Sequence, residues 1–199
     1  MISSETFHVV TTELVVGAFS VSGLSFTLYL LVYFGILKRP SWKSMFDNVA
    51  HFTLAFGLAA TPFAILSGLS SSPGEGLNSP ILVNKMFLSM TGFGFALGCL
   101  ISRWRLGNAV WSSTKSSALH GASGLAACGA MLLTASAGGT FTRGESLLDI
   151  FHLPYQQVLL FPLLVSLTTL LLGAVMLVCL LYTSPSPRDS DSSRMPSSA

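Results

Sequence analysis

Charge is what this sequence has least of, because Asp, Glu, Lys and Arg make up only 9% of its 199 residues. A soluble domain contains about a quarter of such residues. Hydrophobic residues account for 51% of the chain, and the mean hydropathy is +0.68. This composition excludes an ordinary soluble domain and predicts an integral membrane protein whose main partner is the lipid bilayer. A net charge of +2 is too small to indicate a nucleic acid as partner.

Cysteines and catalytic motifs are also scarce. Cys99, Cys128 and Cys179 show no CxxC or Cys/His spacing, which excludes a disulfide framework and a zinc-finger motif. No HExxH, GxSxG, Walker or dinucleotide-binding pattern falls in a suitable context, so nothing indicates an enzyme. The N-terminal segment MISSETFHVV lacks the basic region of a signal peptide, and we expect it to begin the mature protein.

Five apolar segments are long enough to cross a hydrocarbon core, which needs about 20 residues. They comprise residues 13–37, 48–69, 81–102, 117–137 and 155–178. Each segment is apolar around most of its circumference, which favours a spanning helix over a helix lying on the membrane surface. The predicted fold is therefore an all-α membrane bundle of five helices that forms a single domain over residues 1–178.

The basic residues of the connections predict the orientation of this bundle. Six of them fall after the first and third segments, namely Lys38, Arg39, Lys43, Arg103, Arg105 and Lys115. The other two connections contain only Lys85 and Arg143. Because short cytoplasmic loops are enriched in Lys and Arg, the N-terminus is expected outside, in a bacterial or archaeal inner membrane.

Small residues predict where the helices pack. The fourth segment has Ala118, Ala122, Ala126 and Ala130 at intervals of four, and Gly94 and Gly98 form a GxxxG pattern in the third. Small residues at this spacing let two helix backbones approach closely in lipid. A plain abundance of Gly and Ala in membrane helices is the alternative explanation for the third segment.

The last residues, 179–199, form a Ser- and Pro-rich tail that resembles translated sequencing adapter. Residues 179–189 match the translation of a transposase-type adapter, and residues 193–199 match that of a flow-cell primer in the same frame. We therefore expect this tail to be artefactual and the natural chain to be cut near Val178. A genuine tail of this composition would be disordered.

Two histidines inside the apolar segments are the main functional candidates, because ionisable groups in a membrane span are costly and usually functional. His51 and His120 lie near the starts of the second and fourth segments, which run in the same direction. A strip of small residues follows each histidine on its own helix, including Ala55 and Gly124. This arrangement predicts haem b held by the two imidazoles as iron ligands. The alternative is that both rings simply bond loop carbonyls or headgroups.

A weaker pair, His8 and His152, lies at the opposite end and could hold a second haem. Glu13 and Asp149 lie near these histidines, and a metal or proton-relay cluster can be drawn from the four residues. The alternative explanation is that both acids simply favour helix starts, where the backbone dipole is positive.

Residues 8–141, read through the segments FHVVTTELVVGAFSVSGL, NVAHFTLAFGLAATPFAILSGL and LHGASGLAACGAMLLTASAGGTF, resemble a bacterial family of small predicted membrane proteins. That family has four spans, no assigned function and a His-Pro-x-x-x-His-Phe-Pro opening. His8 stands at the place of its first histidine, whereas Val9 replaces the proline and the second histidine is absent. Some members are fused to cytochrome c domains, so the resemblance implies respiratory-chain partners.

The predicted function is a non-enzymatic electron-transfer subunit that binds haem b through His51 and His120. The alternative is a structural or accessory membrane protein without a cofactor. A transporter is disfavoured because the segments contain almost no buried charge and no pair of broken helices.

Overall fold

A computed structural model describes residues 3–71, 78–153 and 155–157, together with Leu164, Leu167, Thr168 and Leu171. The chain divides into two compact units, Met1–Leu159 and Leu160–Ala199. All the helices discussed below belong to the first unit. In the second unit, the four described residues are helical and exposed.

Four long helices make up the first unit: α1 (Ser4–Tyr33), α2 (Lys43–Ser71), α3 (Pro80–Leu106) and α4 (Thr114–Arg143). Short 3-10 helices lie at Pro40–Trp42, Gly107–Trp111 and Leu147–Phe151. The described residues contain no strand. The all-α prediction is thus confirmed.

Each long helix is long and apolar enough to cross a membrane, as expected of an integral membrane protein. The number of spans differs from the prediction, because the described residues contain four such helices and not five. Most of the predicted fifth span, residues 155–178, lies outside the described residues, as does the whole tail, 179–199. At the predicted start of that span, Tyr155–Gln157 form a turn and a bend.

Local signals place the helix ends. The hydroxyl groups of Ser3 and Ser113 accept hydrogen bonds from the backbone N–H groups of Thr6 and Ser116, so each serine caps a helix start. α4 ends at Gly144, which has φ of 77° and adopts the left-handed conformation that glycine tolerates. These caps start α1 nine residues before the predicted span, since hydropathy alone cannot locate a helix end.

The four helices alternate in direction. α1 packs against both α2 and α4, and α3 packs against α4. We call the end with the connections α1–α2 and α3–α4 the basic end, because the six basic residues Lys38, Arg39, Lys43, Arg103, Arg105 and Lys115 lie in or near these connections. The opposite end contains the starts of α1 and α3 and the ends of α2 and α4.

Large side chains of α1 lie against glycines of its two neighbouring helices, with Phe19 against Gly57 of α2 and Phe26 and Leu30 against α4. A Cβ atom on Gly124 would lie 2.5 Å from the Phe26 ring, and one on Gly121 would lie 2.8 Å from Leu30. Phe19 and Phe26 are both fully buried. Glycine at these α4 positions is therefore what lets α1 approach closely.

The predicted small-residue stripes are only partly in the packed interfaces. Ala118 and Ala122 are exposed, whereas Gly124, Cys128 and Ala130 are buried. A Cβ atom on Gly94 or Gly98 would meet nothing within 4 Å, so the GxxxG pattern makes no close contact in the described residues. The predicted alanine stripe is therefore only partly buried, and the face of α4 that packs against α1 carries Gly121 and Gly124.

Candidate metal centre

The structure brings His51 of α2 and His120 of α4 together near the basic end. Their Nε2 atoms lie 2.9 Å apart. The ring planes are 19° from parallel and the centroids are 5.2 Å apart, so the two rings meet edge to edge through these nitrogen atoms. The parallel direction of α2 and α4 puts both rings at the same depth in the bundle.

The other nitrogen of the His51 ring has two oxygen neighbours. Nδ1 lies 2.8 Å from the backbone carbonyl of Asp47 and 3.2 Å from a carboxylate oxygen of the same residue. Both oxygens only accept hydrogen bonds when the carboxylate is ionised, so Nδ1 must be the donor. In the neutral ring, Nε2 of His51 then has no proton and presents a lone pair to His120.

The His120 ring is held in the same way from the α3 side. Its Nδ1 lies 3.2 Å from the hydroxyl oxygen of Ser102. That hydroxyl has one proton and two possible acceptors, the carbonyl of Cys99 at 2.8 Å and Nδ1 of His120. In a first arrangement it donates to the carbonyl and accepts from Nδ1, so Nε2 of a neutral His120 ring presents a lone pair toward His51. In a second arrangement it donates to Nδ1, and Nε2 of His120 carries the proton.

In the first arrangement, two neutral rings point lone pairs at each other across 2.9 Å, and this contact is repulsive unless a positive charge lies between the nitrogen atoms. A proton fits this distance and converts one ring to imidazolium. A metal ion would bind both lone pairs once the nitrogen atoms move apart to about 3.3 Å, the spacing of neighbouring ligands around a tetrahedral ion. In the second arrangement, Nε2 of His120 donates its proton to Nε2 of His51 and no cation is needed.

Cys99 adds a third donor to the pair. Its Sγ atom lies 3.6 Å from Nε2 of His120, and the donor atoms of Cys99, His51 and His120 all lie within 4.8 Å of one another. A tetrahedral ion, with bonds of about 2 Å to nitrogen and 2.3 Å to sulfur, places neighbouring donors about 3.3 to 3.6 Å apart. The separation of Cys99 Sγ and His120 Nε2 matches this spacing, whereas the two nitrogen atoms are closer together and the widest of the three separations reaches up to 4.8 Å. Small movements of the side chains would therefore be needed to bring all three donors around one ion.

Asp47 connects the pair to the edge of the bundle. It is buried, and its carboxylate accepts hydrogen bonds from Nη2 of Arg103 at 2.7 Å and from Nε1 of Trp111 at 2.8 Å. The guanidinium balances the carboxylate charge, and the side chain of Arg103 is 24% exposed. A carboxylate that orients a ligating histidine is the usual outer shell of a protein metal site.

Aromatic rings enclose the two imidazoles. Phe26 lies edge-on to both, with centroids 5.2 Å from His51 and 6.2 Å from His120. Trp111 is perpendicular to the His120 ring, at 4.8 Å. The surroundings of the three donor atoms are therefore largely apolar.

This geometry does not accommodate haem b between the rings as they are arranged. Two imidazoles bound on opposite sides of one iron have nitrogen atoms about 4 Å apart, with the macrocycle between them. Here the nitrogens lie 2.9 Å apart, and Phe26 and Trp111 pack against the rings. The residues fit a single ion better than a haem, and haem b stays a prediction.

Sequence analysis overlooked Cys99, Ser102 and Asp47 as members of this site. Cys99 lies 21 residues before His120, in a different helix, so no metal-ligand spacing exists along the chain. Cys99 and Ser102 are three residues apart, which puts them on one face of α3. That periodicity does not show which helix the face meets. Asp47 had a clearer signal, because it lies four residues before His51 in α2, a spacing that puts the two side chains next to each other.

The other predicted pair is not brought together by any contact among the described residues. Nδ1 of His8 bonds the hydroxyl of Ser67, at 3.0 Å, whereas His152 is exposed after the last 3-10 helix. Asp149 accepts a hydrogen bond from the backbone N–H of Ser146 in a capping box, as a helix-start acid does. Glu13 is exposed within α1.

The chain was also compared with known proteins. No family model, curated protein or solved structure matches it. The resemblance of residues 8–141 to the four-span family thus stays a prediction, and the functional argument depends on the geometry of the site.

Proposed function

We propose that this protein is an integral membrane protein that binds one transition-metal ion through His51, Cys99 and His120. We call these three residues the metal centre. The observation that carries the proposal is the approach of the two Nε2 atoms to 2.9 Å, with each ring held by a hydrogen bond on its far side. A thiol within reach of the same point supplies the third ligand.

Copper is the metal that this donor set favours. Copper and zinc both bind thiolate and imidazole ligands. The net charge of the occupied site therefore distinguishes the two metals. Cu⁺ with one thiolate is neutral, and the charges of Asp47 and Arg103 cancel each other beside it. Zn²⁺ with the same ligands would leave a net positive charge in an apolar bundle, where uncompensated charge is costly.

Electron transfer remains the proposed role, with copper in place of haem. Two histidines and one cysteine form the ligand set of electron-transfer copper sites. By the positive-inside rule, the basic end faces the cytoplasm, so the metal centre lies near the inner leaflet and the N-terminus lies outside. Respiratory-chain proteins are the class of partner that this role implies.

A cofactor-free accessory protein is the second candidate, and the same contact favours it. A single proton shared between Nε2 of His51 and Nε2 of His120 would also account for their short separation. The rings would then join α2 to α4, and Cys99 would be a small buried residue. Only a measurement of bound metal separates this candidate from the first.

The test uses the full chain, purified in detergent under reducing conditions and titrated with Cu⁺ against a competing chelator. We expect one copper per chain. Cys99→Ser and His120→Gln should each lower the affinity about 100-fold or more, because each removes one of three ligands. The matched controls Cys128→Ser and His8→Gln remove the same residue types elsewhere and should leave the affinity unchanged.

Other outcomes would contradict the proposal. Weak copper binding that Cys128→Ser reduces as much as Cys99→Ser does would mean that the metal centre is not the site. Absence of copper binding would favour the cofactor-free candidate. An absorption spectrum with a Soret band that His51→Ala and His120→Ala both remove would restore haem b.

A further inference from the structure

A series of aromatic rings leads from the histidine pair to the surface of the basic end. Trp111 lies perpendicular to the His120 ring, with centroids 4.8 Å apart, and the centroid of its own ring lies 4.0 Å from that of Tyr29. The Tyr29 ring in turn lies 6.4 Å from the Tyr33 ring, with planes 19° from parallel. Each ring therefore packs against the next, from α4 to the last residue of α1.

Local structure fixes the positions of these rings. Tyr29 and Tyr33 are four residues apart on α1, a spacing that places their side chains on one face of the helix. Nε1 of Trp111 donates a hydrogen bond to the Asp47 carboxylate, at 2.8 Å, which holds the indole in its contacts with Tyr29 and His120. Tyr29 is buried, whereas Trp111 and Tyr33 are partly exposed. The series thus extends from the enclosed histidines to the surface of the bundle.

A positive charge lies at the outer end of the series. Nζ of Lys43 lies 5.1 Å from the centroid of the Tyr33 ring, in a cation–π contact. Phe34, the next residue after Tyr33, packs edge-on against it at 5.3 Å and is exposed. An ammonium and an exposed aromatic ring therefore both contact Tyr33. We call Tyr33, Phe34 and Lys43 the docking surface.

The charge around the docking surface is of one sign. Residues 34–50 and 101–117, all of which the structure describes, contain six basic residues and a single carboxylate, Asp47. That carboxylate is buried and pairs with Arg103. The basic end therefore has a net positive charge, which attracts an acidic surface and accelerates its association at low ionic strength.

We infer that an acidic one-electron carrier protein docks on the docking surface and exchanges electrons with the metal centre through Tyr29 and Trp111. The inference rests on the proposed copper site and adds the place and the charge of its partner. Cu⁺ at the metal centre loses one electron and becomes Cu²⁺, and the oxidised carrier gains that electron. The rings are neither oxidised nor deprotonated. They shorten the gaps that the electron must cross, because each ring packs against the next.

The test uses the full chain, loaded with Cu⁺ in an uncharged detergent, and follows the oxidation of copper by stopped flow. The probes are hexacyanoferrate(III), an anionic one-electron oxidant that represents the acidic carrier, and tris(phenanthroline)cobalt(III), a cationic one. We expect the rate constant for hexacyanoferrate(III) to fall as ionic strength rises, because salt screens the attraction. The cobalt complex should show the opposite dependence.

Substitutions of lysine test the docking surface. Lys43→Met should lower the rate constant for hexacyanoferrate(III) about threefold or more at low ionic strength, because it removes the charge beside Tyr33. Lys43→Arg should retain the rate constant. Lys115→Met removes the same charge at the start of α4, without a contact to these rings among the described residues, and should have a smaller effect.

Substitutions of Tyr29 test the path. Tyr29→Leu interrupts the series between Trp111 and Tyr33, so it should lower the rate constant for hexacyanoferrate(III) severalfold without changing its salt dependence. Tyr29→Phe keeps the ring and should retain the rate constant. The copper content of each variant is measured first, so that loss of metal is not mistaken for slow transfer.

The outcomes separate this inference from the proposed function. An unsubstituted protein that binds no copper would contradict both. Copper-loaded Lys43→Met or Tyr29→Leu with an unchanged rate constant would overturn this inference alone, and an unchanged Tyr29→Leu would mean that electrons leave directly from Trp111. The measurement is repeated in nanodiscs of phosphatidylcholine with and without phosphatidylglycerol. An effect of Lys43→Met that disappears with phosphatidylglycerol would assign Lys43 to anionic lipid headgroups and overturn the docking surface.

Discussion

The two ends of this bundle use the same residue types to different effect. At the basic end, a buried carboxylate, Asp47, accepts from Arg103, Trp111 and His51, so this network pairs a charge with a charge and each of its donors with an acceptor. At the opposite end, Nδ1 of His8 meets only the neutral hydroxyl of Ser67, at 3.0 Å. The comparison teaches that a charged, buried network orients the histidine of one end, whereas a single neutral hydrogen bond orients that of the other.

The largest effect is expected from Asp47→Ala, which breaks the network of the basic end. It would leave the guanidinium of Arg103, the indole N–H of Trp111 and Nδ1 of His51 without their acceptor. We expect a loss of about 3 kcal/mol in the free energy of unfolding, at the lower end of values for breaking a buried pair because Arg103 is partly exposed. Denaturant unfolding in detergent measures it.

Asp47→Asn is the matched variant, because an amide keeps an acceptor oxygen but loses the charge. It should recover part of the stability and still reduce copper affinity about tenfold, through the weaker orientation of His51. Equal stability of Asp47→Ala and the unsubstituted protein would show that the Asp47 network does not stabilise the basic end.

A smaller effect is expected from Gly124→Ala, which tests the packing under the histidines. The new methyl group would lie 2.5 Å from the Phe26 ring, and that ring packs edge-on against His51. Overpacking of this kind costs about 1 to 3 kcal/mol. Gly129→Ala, in the same helix with nothing within 4 Å of the added methyl, should be neutral or stabilising, since alanine favours helix.

Ser102→Ala should have a moderate effect that is confined to the metal centre. It removes the hydrogen-bond partner of Nδ1 of His120, so the ring is no longer held in the orientation that directs its Nε2 atom toward His51. We expect a loss of about 1 kcal/mol in stability and a copper affinity lowered about tenfold. Ser123→Ala, which removes only a bond to its own helix, should change neither. An unchanged copper affinity in Ser102→Ala would contradict this role.

The smallest effect is expected from Ser67→Ala at the opposite end. It breaks the hydrogen bonds to His8 and Thr11, at 3.0 and 3.2 Å, which join α1 to α2. A loss of up to about 1 kcal/mol in the free energy of unfolding is expected, with no change in copper affinity. A change in copper affinity would mean that the two ends are coupled.

Much of the fold was predictable from local properties. The composition predicted helices that cross a membrane, and the segments that became α1 to α4 were each found with boundaries displaced by one to nine residues. The meeting of His51 and His120 at one end was also predictable, because alternating helices bring the starts of α2 and α4 to one side. The sequence did not indicate Cys99 or Ser102, because His120 lies in another helix, whereas Asp47 lies four residues before His51 in α2 and had a local signal.

By itself, the sequence determined that the chain is apolar and helical, and that its basic residues gather in two connections. These properties follow from each segment alone, since backbone hydrogen bonds in lipid must be made within the helix. Only the tertiary structure decided which faces meet, because lipid solvates every apolar face of a helix almost equally well. The contacts of Gly121 and Gly124 with α1 select one face of α4, and that selection directs His120 toward His51 and Cys99.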